Sequence, residues 1–224
     1  MEKDAVTLKD VQEAAKRLAS VVHKTPLESN HTFSTIAGHE VLLKLENMQR
    51  TGSFKVRGAS NCIQTLSPEK KACGVITASA GNHAQGVALG ASKAGIKSTI
   101  VMPEGAPLAK IEATRGYGAE VVLAGSVYDE AFAEAVRIQK ETGATFVHAY
   151  DNPAVIAGQG TIGLEILEQC PDVKAIVVPV GGGGLLAGVA AAVKAAAPHV
   201  KVFGVQATVA PAMYLSKHAG KWVE

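Results

Sequence analysis

Apolar and polar positions change their period several times along the 224-residue chain. Near the start, Val11, Ala14, Ala15, Leu18, Val21 and Val22 recur at helical spacing behind Thr7-Leu8-Lys9-Asp10, which reads as a capping box. This predicts a helix that Pro26 stops. Val41 to Leu45 is a strand candidate. From Ser53 on, Phe54, Ala59, Cys62, Ile63 and Leu66 predict a helix ending before Pro68. Strands and helices then alternate. Strands are predicted over 75–77, 99–101, 120–123, 145–147, 175–180 and 200–206. Helices are predicted over 82–94, 108–117, 128–141, 156–168 and 185–197.

Such alternation implies an α/β fold built on a mainly parallel sheet. Ligand sites in these folds lie at the carboxyl ends of strands, on the loops that lead into helices. Three loops of this kind carry unusual residues: Ser53–Gly58, Ser79–His83 and Gly181–Gly184. Gly158-x-Gly160-x-x-Gly163 also has dinucleotide-motif spacing, but no strand leads directly into it, so it reads as a helix start.

Composition narrows the function. Hydrophobic residues make up 47% and aromatics 4%, so the core is aliphatic and alanine-rich, which suits helices packed over a sheet. A net charge of +2 without a basic run speaks against nucleic acid or an anionic membrane as partner. Cys62, Cys73 and Cys170 form no CxxC pair, and the histidines (His23, His31, His39, His148, His199 and His218) lack ligand spacing. No metal site is expected, and the odd thiol count fits a reducing cytoplasm. The opening Met1-Glu2-Lys3-Asp4 lacks a leader-peptide core. The apolar stretches Ala175–Val180 and Leu185–Val193 are too short to span a bilayer.

Four consecutive glycines after an apolar strand are costly for packing alone. Strand, glycines and helix start together aim bare backbone N–H groups and a positive dipole end at one point, which is a phosphate cradle. Gly182, Gly184 and Ala187 fit a loose dinucleotide pattern, but Gln206 stands where that fold needs an acidic residue. The Ser79-Ala80-Gly81-Asn82-His83 loop exposes backbone N–H groups that suit a carboxylate, although a helix cap by Ser79 or Asn82 explains it equally well. With Ser53 as N-cap, Lys55 falls in a first helical turn, where the dipole and any burial depress its pKa. A neutral amine is what Schiff-base chemistry requires, and a surface lysine is the plain alternative.

Taken together, Ser53-Phe54-Lys55-Val56-Arg57-Gly58-Ala59 matches S-F-K-x-R-G-A, and Ser79 to Gly86 matches S-x-G-N-H-x-Q-G. The glycine run is followed by Leu185 and Gly188. With Thr25-Pro26-Leu27 and Lys44-Leu45-Glu46-Asn47 before Thr51-Gly52, these segments resemble the fold-type II pyridoxal-phosphate enzymes, nearest the threonine and serine dehydratase (ammonia-lyase) family. The resemblance runs over almost the whole chain. It implies two open, mainly parallel sheets flanked by helices, with a large cofactor domain (1–46 plus 151–224) and a small domain (47–150).

It further implies that Lys55 holds pyridoxal 5'-phosphate covalently and is the base at the substrate Cα. Phe54 would pack beside the cofactor ring, Asn82 would bond its phenolic oxygen, and Gly181, Gly182, Gly183, Gly184 and Leu185 would hold its phosphate. Ser79, Ala80, Gly81, Asn82 and His83 would hold the substrate carboxylate. The implied reaction is β-elimination of L-threonine or L-serine, within amino-acid metabolism that includes isoleucine biosynthesis, by a homo-oligomer (dimer or tetramer). Related racemases carry a serine at the position of Ala80, so Ala80 favours elimination. Two features depart from the pattern. The strand that meets the cofactor ring nitrogen in relatives would lie beyond Glu224, so the chain looks C-terminally truncated, with an exposed sheet edge or uncovered core expected. The cation-site carboxylates of racemase-like relatives are replaced by Gln206, Ala210 and Ala212.

Overall fold

A computed structural model describes residues 5–223; the opening Met1–Asp4 and Glu224 lie outside the described residues. Helix α1 (Leu8–Leu18) starts on the expected capping box: the Thr7 side chain accepts from the Asp10 N–H, and the Asp10 carboxylate accepts from the Thr7 N–H at 2.8 Å. The helix ends at Leu18, well before Pro26, because the N–H groups of Val21 and Val22 both turn back to the Leu18 carbonyl. Val21 reaches the core from this turn, so its spacing mimics another helical step.

Strands β1 (Leu27–Ser29) and β2 (Leu42–Lys44) form an antiparallel pair around α2 (His31–Ala37), which Asn30 caps. Neither β1 nor α2 is long enough to show a period. Next come α3 (Lys55–Gln64) and α4 (Pro68–Cys73), the latter capped by Ser67 with proline in its first turn.

The next segment builds a parallel sheet. Its elements are β3 (Val75–Ala78), α5 (Asn82–Lys93), β4 (Ser98–Met102), α6 (Leu108–Gly116), β5 (Glu120–Leu123), α7 (Tyr128–Thr142) and β6 (Thr145–Phe146). The strand order is β5-β4-β3-β6. Side chains alternate across the sheet. Val75, Ile100 and Met102 pack with α3, α5 and α6, while Ile76, Ala78 and Val101 pack with α7.

The chain continues through α8 (Pro153–Gln169), β7 (Ala175–Pro179), α9 (Gly184–Ala196), β8 (Lys201–Val205) and α10 (Ala212–Ala219). Strands β7 and β8 pair in parallel. Ile176 and Val178 of β7 face Ile162 and Ile166 of α8 and Val189 and Val193 of α9. The opposite face stays open, with Val177 66% and Phe203 50% exposed. Parallel sheets are normally covered on both faces.

The Gly158-x-Gly160-x-x-Gly163 segment is not a helix start. Asn152 caps α8 and Pro153 opens it, so these glycines lie in the helix body. A Cβ on Gly158 would sit 2.6 Å from the Arg57 carbonyl, and one on Gly160 would sit 2.7 Å from that of Gly188. The glycines let α3 and α9 press against α8, and that contact sets where Lys55 and the four-glycine turn stand.

Candidate active site

Lys55 is the first residue of α3. Ser53 does not cap this helix. Phe54 already has helical backbone angles, so the extended residue that a side-chain cap needs is missing, and no side-chain cap bond forms. The buried Ser53 hydroxyl has no hydrogen-bond partner among the described residues. Lys55 Nζ donates to the Ala149 carbonyl at 2.9 Å and stands 5.4 Å from the centroid of the Phe54 ring. Burial pushes the amine below the usual lysine range, and no carboxylate pairs with it among the described residues. The expected tendency toward a neutral amine therefore holds, with desolvation as its cause.

The four glycines join β7 to α9, and Gly183 takes a left-handed φ of 85°. No side chain caps α9, and the N–H groups of its first turn have no intrahelical acceptor. Lys55, Phe54, Gly181–Gly184 and Leu185 share the wall of one cavity of about 420 Å³ with Ala149, Tyr150 and Gln159. Gln206 serves the turn structurally: its amide nitrogen reaches the Gly181 carbonyl at 3.4 Å, and its oxygen accepts from the Tyr214 N–H at 2.9 Å.

The Ser79–His83 loop stands outside that wall. Capping does not explain it, since Gly81 is the N-cap of α5 and no side chain caps the helix. The Ser79 hydroxyl accepts from the Gly81 N–H at 3.2 Å, and Asn82 is exposed. Ala80 packs against the sheet core. The His83 ring is buried and bonded through Nε2 to the Val147 carbonyl at 2.9 Å. Its Nδ1 has no partner among the described residues, and burial lowers its pKa to about 4. This imidazole is fixed beneath the loop, which leaves the backbone to meet any carboxylate. The loop lies near the lysine all the same: a Cβ on Gly86 of α5 would come within 3.0 Å of the Lys55 carbonyl carbon.

Arg57, two residues past the lysine, is fully buried. It grips the Glu46 carboxylate through Nε at 2.9 Å and a terminal nitrogen at 2.8 Å. It grips Glu165 at 2.6 and 2.9 Å. Lys44 completes the cluster at 2.6 Å from Glu165. Arg57 thus pairs with two carboxylates, which ties the start of α3 to α8 and to the turn after β2.

Ala149, Tyr150 and Gln159 escaped the sequence reading. The loop from β6 into α8 is also a strand-to-helix connection, so the rule that singled out the other three loops would have included Ala149 and Tyr150. Gln159 carries no such signal; it reaches the cavity through the close crossing of α8 and α3, where its side-chain oxygen accepts from the Gly58 N–H at 3.1 Å.

A desolvated lysine facing a bare helix N-terminus suits a phosphate-bearing aldehyde. The turn has no side chains to fill the cradle, and a Cβ on Gly182 would fall 2.5 Å from the Tyr150 ring. Residues 18–224 match the family described as pyridoxal-phosphate dependent enzyme. The chain belongs to this family. Its relatives include the L-threonine ammonia-lyase of Thermotoga maritima, 56% identical over 216 residues, covering 96% of this chain and 54% of the relative. Among solved structures, the processed threonine deaminase isoform 2 of Solanum lycopersicum superposes with a TM-score of 0.93 at 44% identity, covering 97% of this chain and 59% of that one. Maize serine racemase superposes with a TM-score of 0.94 at 39% identity, over 98% and 67%. The chain spans about half the length of the curated relatives it matches. These likenesses establish the α/β, fold-type II architecture and pyridoxal phosphate as the cofactor.

Proposed function

We propose that this chain carries the cofactor site of an ammonia-lyase that β-eliminates the hydroxyl of L-threonine or L-serine as water, the released enamine then taking up water to give 2-oxobutanoate or pyruvate and ammonia. The observation that carries the reading is the meeting of Lys55 and Gly181–Gly184 in one cavity. The glycine turn, Leu185 and the first turn of α9 would hold the phosphate, and Phe54 would flank the ring. Asn82 would bond the phenolic oxygen, and the backbone of Ser79–His83 would take the substrate carboxylate. When bound, pyridoxal phosphate supplies the electron sink for cleavage at the substrate Cα. Lys55 would be the group that takes the Cα proton, and burial lowers its pKa from the ordinary lysine value in the direction this role needs. The Ala149 carbonyl aims that amine into the cavity.

Ala80 offers no hydroxyl to deliver a proton to the opposite face, which favours elimination over racemisation despite the likeness to a serine racemase. We read 47–150, with its four-stranded sheet, as the small domain, and 1–46 plus 151–224 as the cofactor domain. We place the enzyme in the cytoplasm as a homo-oligomer without membrane or nucleic-acid partners, with 2-oxobutanoate available to isoleucine biosynthesis. Among the described residues, no helix is long and apolar enough to cross a membrane.

The test is the visible spectrum of the purified chain with added pyridoxal phosphate. A protein-bound band that L-threonine alters and that Lys55→Ala removes supports the reading; absence of a Lys55-dependent band sinks it. Keto-acid release from threonine and serine then ranks the substrates, and D-serine formation would reverse the choice of elimination.

A further inference from the structure

We infer that Tyr150 is a positioning residue: its ring holds the glycine turn in phosphate-binding form, and the turn it sits on links that cradle to the Lys55 amine. The inference rests on the cofactor reading above. The turn at 147–151 is pinned at its start, where the Val147 carbonyl accepts from Thr77 Oγ1 at 3.0 Å and is bonded to His83 Nε2 at 2.9 Å. It is closed by His148, whose Nδ1 accepts from the Asp151 N–H at 2.9 Å. The His148 and Tyr150 rings meet edge to face, with centroids 4.8 Å apart. This braced turn presents two groups in succession: the Ala149 carbonyl, which holds Lys55 Nζ at 2.9 Å, and Tyr150.

Tyr150 lies directly against the glycines. Its ring carbons come within 2.5 Å of the place a Cβ on Gly182 would occupy, and its carbonyl oxygen comes within 2.7 Å of that place on Gly184. Four glycines in a row have wide conformational freedom, and an anion cradle binds well only if its N–H groups are already aimed. The aromatic ring fills the volume that side chains would otherwise have occupied, and so restricts the turn from outside. The Tyr150 hydroxyl makes no hydrogen bond within the chain among the described residues, whereas the ring makes the close contacts. The positioning role is therefore assigned to the ring, whose contacts Tyr150→Phe would keep.

The experiment compares the dissociation constants of pyridoxal phosphate and of pyridoxal, which lacks the phosphate, for the wild-type chain, Tyr150→Phe, Tyr150→Leu and Tyr150→Ala. We expect Tyr150→Ala to weaken pyridoxal phosphate at least about tenfold and pyridoxal less than about twofold, with Tyr150→Phe matching the wild type. Tyr150→Leu keeps bulk without a planar ring and should lose part of the phosphate preference, so it carries the test if Tyr150→Ala does not fold. Equal weakening of both ligands would reduce Tyr150 to ordinary cavity wall. An unchanged preference in both Ala and Leu variants would overturn the inference, as would a Phe variant as weak as Ala. Repeating the series in Lys55→Ala separates the two readings. Phosphate preference that depends on Tyr150, without any Lys55-dependent band in the parent, would sink the catalytic reading alone. A Lys55-dependent band with preference independent of Tyr150 would sink the present inference alone.

Discussion

Lys55 begins a helix whose dipole opposes its charge, and its one acceptor among the described residues is a backbone carbonyl. The side chain is therefore retained at a cost to stability. Lys55→Met, similar in length and uncharged, should raise stability by about 1 kcal/mol near neutral pH while abolishing covalent cofactor attachment. Urea unfolding of the cofactor-free chains checks this; a less stable variant would mean the Ala149 bond outweighs desolvation. His83 gives a pH signature. Its folded pKa is held at about 4 by burial, below the ordinary value of 6.5. The unfolded chain thus binds a proton that the folded chain refuses, so this stability is present above pH 6.5 and lost as pH falls toward 4. The loss attributable to His83 should be roughly 3 kcal/mol at most. His83→Gln, which keeps a donor for Val147, should flatten the urea midpoint over that window. An unchanged slope would show that other groups carry it.

At the scale of elements, glycines with the same local appearance serve different ends. Gly188 in α9 meets α8 so closely that an added Cβ would lie 2.2 Å from the Ile156 carbonyl and 2.6 Å from the Gly160 nitrogen. Both neighbours are backbone and cannot swing aside. Gly188→Ala should cost about 2–4 kcal/mol, although alanine is the better helix former by about 1 kcal/mol. Gly116, at the end of α6, has open space around it. Gly116→Ala should stabilise by about 0.5 kcal/mol. Thermal melts of the two variants should move in opposite directions; parallel shifts would mean the crossing relaxes. The same crossing explains why Gly158 and Gly160 imitate a nucleotide motif: a helix pressed against two others needs bare backbone at regular intervals, as a phosphate loop does.

Across the whole molecule, Arg57, Glu46, Glu165 and Lys44 form one buried polar cluster joining β2, the turn after it, α3 and α8. Thr25 adds a hydroxyl bond to Glu46 at 2.6 Å, and Thr161 accepts from Arg57 at 3.1 Å. Removing one member strands charges that the rest cannot neutralise. Arg57→Met should cost about 3–5 kcal/mol in urea unfolding, and Arg57→Lys should recover little, because an ammonium cannot bridge two carboxylates in a fork. A loss below about 1 kcal/mol would mean water replaces the guanidinium.

The order of strands and helices from β3 to β8 was legible in the sequence because period and turn chemistry are local, set over a few residues. Lys55 and the glycine run were legible for the same reason: each sits at a strand or helix boundary, where its chemistry conflicts with packing. Short elements such as β1, α2, α4 and α10 carry too few residues for a period. The sheet order β5-β4-β3-β6, the failure of Ser53 to cap α3, and the placing of Gly158 inside α8 depended on which elements meet. So did the site itself. Lys55 and its Ala149 acceptor are 94 positions apart, and Arg57 and Glu165 are 108 apart. No local pattern encodes such pairs; they are fixed by the buried packing of α3 and α8 and by the turn at Tyr150.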